Sequence, residues 1–301
     1  MTDAVGTPGV TTAARGGMAR RVLAIAGLTL REALRRRVIL AAILMSLGFL
    51  ALYGTAAHFA GAEILKTGAG GGLDELMKRE VAVQLLYVGL FPASFIIALT
   101  AVFAASGTIS GELDSGVIYG VLARPVRRAE LVFGKFLGLA TMLAIYALVL
   151  DAAVVGLARW QLGVPLTNWP VAMAVFVLEP MPLLALAVLG SSRLPTLANG
   201  VLCTAAYGIA FIGGLIEAIG AVISNEIMVN LGIISSLLMP LDALHRLALS
   251  LLLPPGLLFQ QGGLPGVGGS SAPSVWMAVY AVGYVIAAVA AAAAVFGRRD
   301  L

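Results

Sequence analysis

The sequence predicts an all-α, polytopic membrane protein with six transmembrane helices. Three observations carry this reading. Apolar residues make up 60% of the 301 positions and charged residues only 11%, where a soluble domain carries about a quarter. The mean hydropathy is +1.01, more apolar surface than a core of this size can hide without lipid as solvent. The apolar residues also fall in continuous runs of the length that crosses roughly 30 Å of hydrocarbon, about 20 residues each. Membrane β-strands would instead alternate every second residue.

Taken in order, residues 1–19 are small and polar and read as a disordered tail. Arg20-Arg21 followed by Val22–Leu30 has only a superficial likeness to a twin-arginine signal, because Arg31 and Glu32 interrupt the short apolar run. An amphipathic helix over residues 20–37 accounts for the segment better. Leu23, Ala26, Leu30 and Leu34 recur at helical spacing, with Arg31, Glu32, Arg35 and Arg36 on another face. Such a helix is expected to lie in the membrane interface with its arginines at the lipid phosphates.

The six spans fall near Val38–Ala57, Ala82–Ala105, Phe136–Leu157, Val171–Leu189, Thr196–Ile219 and Val275–Phe296, completing a transmembrane domain over residues 38–301. A further apolar stretch, Leu231–Leu253, is broken by Pro240, Asp242, His245 and Arg246. Three ionisable residues near the centre of a span are costly in lipid. The stretch is therefore read as two short re-entrant or interfacial helices turning at Pro240. Orientation follows from the cations. With the N-terminus inside, cytoplasmic segments hold fourteen of the nineteen Lys and Arg and the outer segments five, Arg159 and Arg246 among them. Six spans then return Arg298 and Arg299 to the inside, and the bias favours six over seven. Gly68–Gly72 and Gly262–Ser271 read as flexible outer loops.

Between the second and third spans lies a polar island, residues 106–135, bearing Arg124, Arg127, Arg128 and Lys135. The positive-inside rule assigns it to the cytoplasm. Glu112, Asp114, Ser115 and Gly116 open a short apolar segment that Arg124-Pro125 closes. A short helix held against the membrane by a turn is a surface on which a soluble partner can push. The arginines can pair with acidic groups on that partner or with lipid phosphates.

Catalytic patterns are absent. Gly134-Lys135 has Ala129 where a phosphate-binding loop needs its first Gly, and Phe136 where it needs a hydroxyl. There is no H-E-x-x-H and no G-x-S-x-G. His58 and His245 are expected at the outer face as interfacial residues, and the single Cys203 as a packing residue within a helix. Three acids fall within spans: Asp151, Glu179 and Glu217. An acid in lipid commonly faces a bundle interior or a water path, which makes these the candidate substrate path. The alternatives are an aqueous vestibule for Asp151, the inner interface for Glu179 and the outer one for Glu217. Gly134 and Gly138 permit close helix approach, and packing is their expected role.

Residues 106–138 and the basic helix that leads into the first span resemble the permease subunit of a type-2 ATP-binding-cassette (ABC) transporter. That family's coupling loop has a Glu, two residues on a Ser-Gly, an apolar stretch, an Arg-Pro-Val, a Glu and a Gly-Lys. Here Glu112, Ser115, Gly116, Arg124, Pro125, Val126, Glu130, Gly134 and Lys135 match it. The resemblance implies a chain without catalytic residues or cofactor of its own, with ATP and Mg on a separate cytoplasmic ATPase subunit. That subunit would push on the region of Glu112, Asp114, Ser115, Gly116, Arg124, Pro125, Arg127, Arg128 and Glu130, and on the helix carrying Arg31, Glu32, Arg35 and Arg36. The resemblance further implies a second permease copy or a related one, membrane lipids but no nucleic acid as partners, and a multi-pass place in the inner (cytoplasmic) membrane with both termini inside. It also implies outer re-entrant helices before the last span, and export as the direction. Two other readings stay open: an ion-coupled secondary transporter with Asp151 or Glu179 carrying a proton, and a membrane assembly factor without transport.

Overall fold

The computed structural model describes residues 10–66, 72–111, 127–254 and 273–298. Among these residues the chain is helical, with short connections and no strand. α1 (Val10–Arg35) turns at Arg36 into α2 (Arg37–Lys66), and α3 (Gly72–Ala105) follows. α4 (Arg128–Leu162) precedes the pair α5 (Trp169–Leu178) and α6 (Met181–Ser191). α7 (Thr196–Val222), α8 (Glu226–Leu238), α9 (Leu241–Leu252) and α10 (Trp276–Gly297) complete the chain.

Six segments are long and apolar enough to cross a membrane: residues 37–62, 78–105, 128–162, 169–191, 196–222 and 276–297. Each contains nearly all of its predicted span and most run a few residues further, because a hydropathy window trims polar ends that the helix continues through. α4 overshoots most. Its 35 residues make a rod of about 50 Å, longer than the hydrocarbon needs. Gly163 ends it in the left-handed conformation (φ 66°), donating its N–H to the Arg159 carbonyl, a glycine-dependent stop.

The centre of the bundle is α3 with α5–α6. Within these spans 67% and 72% of the most apolar window is buried, against 22% for α2 and for α10, which lie at the periphery. The fourth span is broken at Glu179-Pro180. Pro180 and Pro182 have no N–H to offer the carbonyls a turn earlier, so a continuous ladder cannot form there. α5 then packs against α9 and α6 against α10. The predicted break at Pro240 is present: α8 and α9 meet there at 100°. α8 folds back along α7 in close contact, since a Cβ on Gly220 or Gly232 would collide with the facing helix.

α1 is longer than its prediction. It begins at Val10 rather than Arg20, so residues 10–19, read as tail, continue the helix. Only part of its predicted apolar face packs against the bundle. Ala26, Thr29 and Ala33 are buried, whereas Leu23 and Leu34 are 62% and 58% exposed. The reason lies on α4. A Cβ on Gly138 would sit 2.5 Å from the Ala26 carbonyl oxygen, and one on Gly134 would sit 2.7 Å from Ile25. Two glycines on one helix and small residues on the other bring the backbones together. The bulkier leucines are left on the flank.

Two ends of the bundle can be distinguished. The proximal end carries residues 106–111, 127–130, 192–195 and Arg298, and the distal end carries residues 163–168 and 223–225.

Candidate functional site

At the proximal end, polar groups where α3 stops are taken up by side chains from three other helices. A helix C-terminus leaves carbonyls without intrahelical partners. Asn199 on α7 donates to the Ser106 carbonyl (3.0 Å) and the Ala187 carbonyl (2.7 Å). Lys135 on α4 donates to the Thr108 carbonyl at 2.6 Å, a cation where the helix dipole favours one. Ser191 on α6 accepts from the amides of Ile109 (2.8 Å) and Ser110 (3.2 Å), and Ser110 bonds the Thr196 hydroxyl at 3.0 Å. Asn199, Ser191 and Ser192 are fully buried. Cys203 is the packing residue expected of it, buried with its thiol toward Asn199.

The other stem of the same connection is fixed as well. Glu130 accepts the Arg127 amide (3.3 Å), half of a capping box, and an ion pair from Arg21 on α1 at 3.0 Å. Arg128 reaches the Gly297 carbonyl at the end of α10 (3.4 Å). Residues 106–111 and 127–130 are thus bound to α1, α4, α6, α7 and α10. The sequence-predicted Glu112, Asp114, Ser115, Gly116, Arg124 and Pro125 lie outside the described residues. On α1, Arg31, Glu32 and Arg35 are exposed, and Arg36 pairs with Glu32 at 2.6 Å.

The second polar site is in the distal half, where the structure corrects two expectations, at His245 and Arg246, and decides between two readings at Glu179 and Glu217. Glu179 lies in the bundle interior rather than at an interface, buried at the α5–α6 break, 3.3 Å from Ser94 Oγ on α3 and 3.3 Å from His245 Nδ1 on α9. His245 is no surface histidine. It is 4% exposed, 3.0 Å from Ser94 Oγ, and ringed by Tyr87, Phe91 and Phe176 at edge-on angles. Glu217 is likewise interior rather than interfacial, buried and held by both terminal nitrogens of Arg246 at 2.7 Å each. Arg246, counted as a loop cation, also pairs through Nε with Asp242 at 2.9 Å. The planar guanidinium makes a two-pronged hydrogen-bonded pair with Glu217, whereas Asp242 lies within ion-pair distance without a hydrogen bond to it. The stretch reads as a surface segment because its charges are judged against lipid, while α9 buries them against protein.

Glu179 and Glu217 therefore join one cluster, which Asp151 does not enter. Asp151 is 1% exposed on α4, and neither carboxylate oxygen has a hydrogen-bond partner among the described residues. Ser94, Asp242, His245 and Arg246 complete the cluster. The signal for three of them was present in the D-x-x-H-R spacing of Asp242, His245 and Arg246 inside an apolar run. Nothing local marks Ser94, Ser191 or Asn199.

A comparison with individual curated proteins gives no match. Among protein families, residues 23–301 match the ABC-2 family transporter proteins. That match spans nearly the whole helical bundle, and the chain belongs to the ABC-2 family of transporters.

Proposed function

We propose that this membrane subunit exports its substrate across the cytoplasmic membrane, driven by ATP hydrolysis on a separate ATPase that docks at the proximal end. The proximal end then faces the cytoplasm, with both termini. The observation that carries the reading is the double anchoring of the 112–126 connection. One stem is tied through Ser191, Thr196 and Asn199 to α6 and α7, the other through Glu130 and Arg128 to α1 and α10. A push that reaches these stems is delivered to several helices at once. Glu112, Asp114, Ser115, Gly116, Arg124 and Pro125 are assigned the docking contacts, with Arg127 and Arg128 beside them. Arg31, Glu32, Arg35 and Arg36 on α1 supply a second contact at the lipid headgroups. A second copy of the chain or a related permease completes the pathway.

The test is affinity purification of the full chain in mild detergent from its native host, followed by transport in proteoliposomes. The expected result is an ATPase that co-purifies and is lost in Glu112→Arg while membrane insertion is intact, with substrate accumulating on the side away from the ATPase. Recovery of the chain alone after cross-linking overturns the proposal. It would favour an ion-coupled carrier, whose supporting observation is the unpartnered, buried Asp151.

A further inference from the structure

A groove runs between α4 and α5 in the distal half of the bundle. Leu148, Ala152, Gly156 and Arg159 form one wall, and Trp169 and Met173 form the other. The first four recur every three or four residues, which places them on one stripe of α4. Leu148 and Trp169 are exposed, so the groove is open to the surroundings of the bundle. Its volume is about 510 Å³, within the roughly 300–1,000 Å³ of ligand sites.

The floor of the groove is made of the two smallest residues. On the same helix, Gly134 and Gly138 are small because α1 lies against them, and a Cβ on either would collide. Gly156 is different. A Cβ there would meet nothing within 4 Å, and Ala152 and Gly156 are both exposed. Small residues four apart normally seat a neighbouring helix. Here, among the described residues, they leave a channel that no helix of the chain occupies.

Depth in the membrane and charge specify the occupant. Arg128 and Arg159 lie 31 positions apart on α4, about 46 Å along a helix, close to the roughly 40–45 Å of a bilayer with its headgroups. Arg159 thus falls at the headgroup level of the distal leaflet. Trp160 and Trp169, 82% and 57% exposed, mark the same level, as aromatic residues do at membrane interfaces. From Arg159 the groove descends to Leu148, about 16 Å deeper. One leaflet contributes about half of the roughly 30 Å of hydrocarbon, so the groove is one leaflet deep. The Arg159 side chain is exposed and makes no hydrogen bond or ion pair among the described residues. A cation at the headgroup end and an apolar channel below it match an anion that carries a hydrocarbon chain.

We propose that the α4–α5 groove is the binding site of a resident anionic phospholipid of the distal leaflet. Its phosphate pairs with the Arg159 guanidinium, whose planar fork suits phosphate oxygens. One acyl chain lies over Ala152 and Gly156 toward Leu148. Free phosphate would leave the apolar length empty, and an uncharged chain would leave the guanidinium without a counter-charge. The site shares no residue with the distal ionic cluster.

The test is native mass spectrometry of the full chain in nonionic detergent, titrated with dioleoylphosphatidylglycerol. It needs neither ATP nor a partner, so its failure leaves the ATPase-driven reading standing, and the converse also holds. Dioleoylphosphatidylcholine, sodium phosphate and oleyl alcohol serve as controls. Saturable binding of phosphatidylglycerol is expected, with an apparent Kd about tenfold weaker in Arg159→Gln, the equivalent of one lost charged contact. Gly156→Leu keeps the arginine, has space for its side chain and fills the channel, so it is expected to weaken binding as well. Undiminished affinity in either variant overturns the proposal, as does equal binding of phosphatidylcholine, phosphate or the alcohol. A loss of dimers in Gly156→Leu with lipid affinity unchanged also overturns it, and would assign the groove to a second copy of the chain.

Discussion

The proximal and distal polar sites are built from the same kinds of helix and solve opposite problems. At the proximal end almost every polar group is neutral or paired. Asn199 and Ser191 each hold two backbone groups, and Lys135 caps the end of α3. The distal cluster is ionic, has more acid than base, and leaves His245 Nε2 and one edge of Glu179 facing a cavity. A network with every member satisfied is rigid, whereas buried groups left without partners are costly to keep.

The comparison breaks most severely at Arg246. Replacing it with Met strands Glu217 and Asp242 as buried carboxylates, with an expected loss of about 3–5 kcal/mol, seen as aggregation or a large fall in Tm in detergent. Adding Glu217→Gln to Arg246→Met removes one of the two stranded charges and should recover part of that loss. No recovery would mean that the cluster is not organised around this pair.

At the proximal end, Asn199→Ala removes two buried hydrogen bonds and leaves the Ser106 and Ala187 carbonyls unpaired. The expected cost is about 1–3 kcal/mol, milder than at Arg246 because no charge is stranded. If thermal unfolding ranks Asn199→Ala above Arg246→Met, the distinction between a neutral and an ionic site fails. Gly138→Ala sharpens the proximal side in a different way. The added methyl meets the Ala26 carbonyl, and overpacking of this kind costs about 1–3 kcal/mol. Cross-linking between Cys residues placed at positions 21 and 130 should fall as α1 is displaced, and an undiminished yield would place the α1–α4 contact elsewhere. Arg21→Ala tests the same contact from the charge side. Arg21 is 44% exposed but its partner Glu130 is 1% exposed, so the change leaves a buried carboxylate with the Arg127 amide as its partner, at an expected cost of about 1–3 kcal/mol seen as a fall in Tm.

Much of the architecture was legible in the sequence because lipid imposes a single demand, continuous apolar length. The six spans follow from that demand, and the turn at Pro240 from the residues that interrupt it. The residues by which α1 meets the bundle were not legible, because leucine spacing is a strong signal of burial in water and a weak one beside lipid. The pertinent marks were Gly134 and Gly138, about a hundred residues away in the chain. His245 and Glu179 meet across 66 positions, and no periodicity connects them. Asn199 is a single polar residue in an apolar helix, and only the stopped end of α3 explains what it is for. The connection carrying Glu112 and Arg124 is recognised by motif and lies outside the described residues.

The order of residues along the chain gives the distal cluster a history. Glu179 and Glu217 are synthesised before Arg246, and a chain emerging from the ribosome builds its N-terminal part first. For the interval between residue 217 and residue 246, the nascent bundle contains two acids in apolar helices and no guanidinium to receive them. Only when α8 has folded back on α7 and α9 has swung through its 100° bend does Arg246 reach Glu217. A chain that stalls or is truncated in that window is left with a charge defect at its centre. The ion pair thus closes late, in the second-last helix described, and a ribosome-release series across residues 222–252 is expected to show protease resistance arising abruptly once Arg246 has emerged.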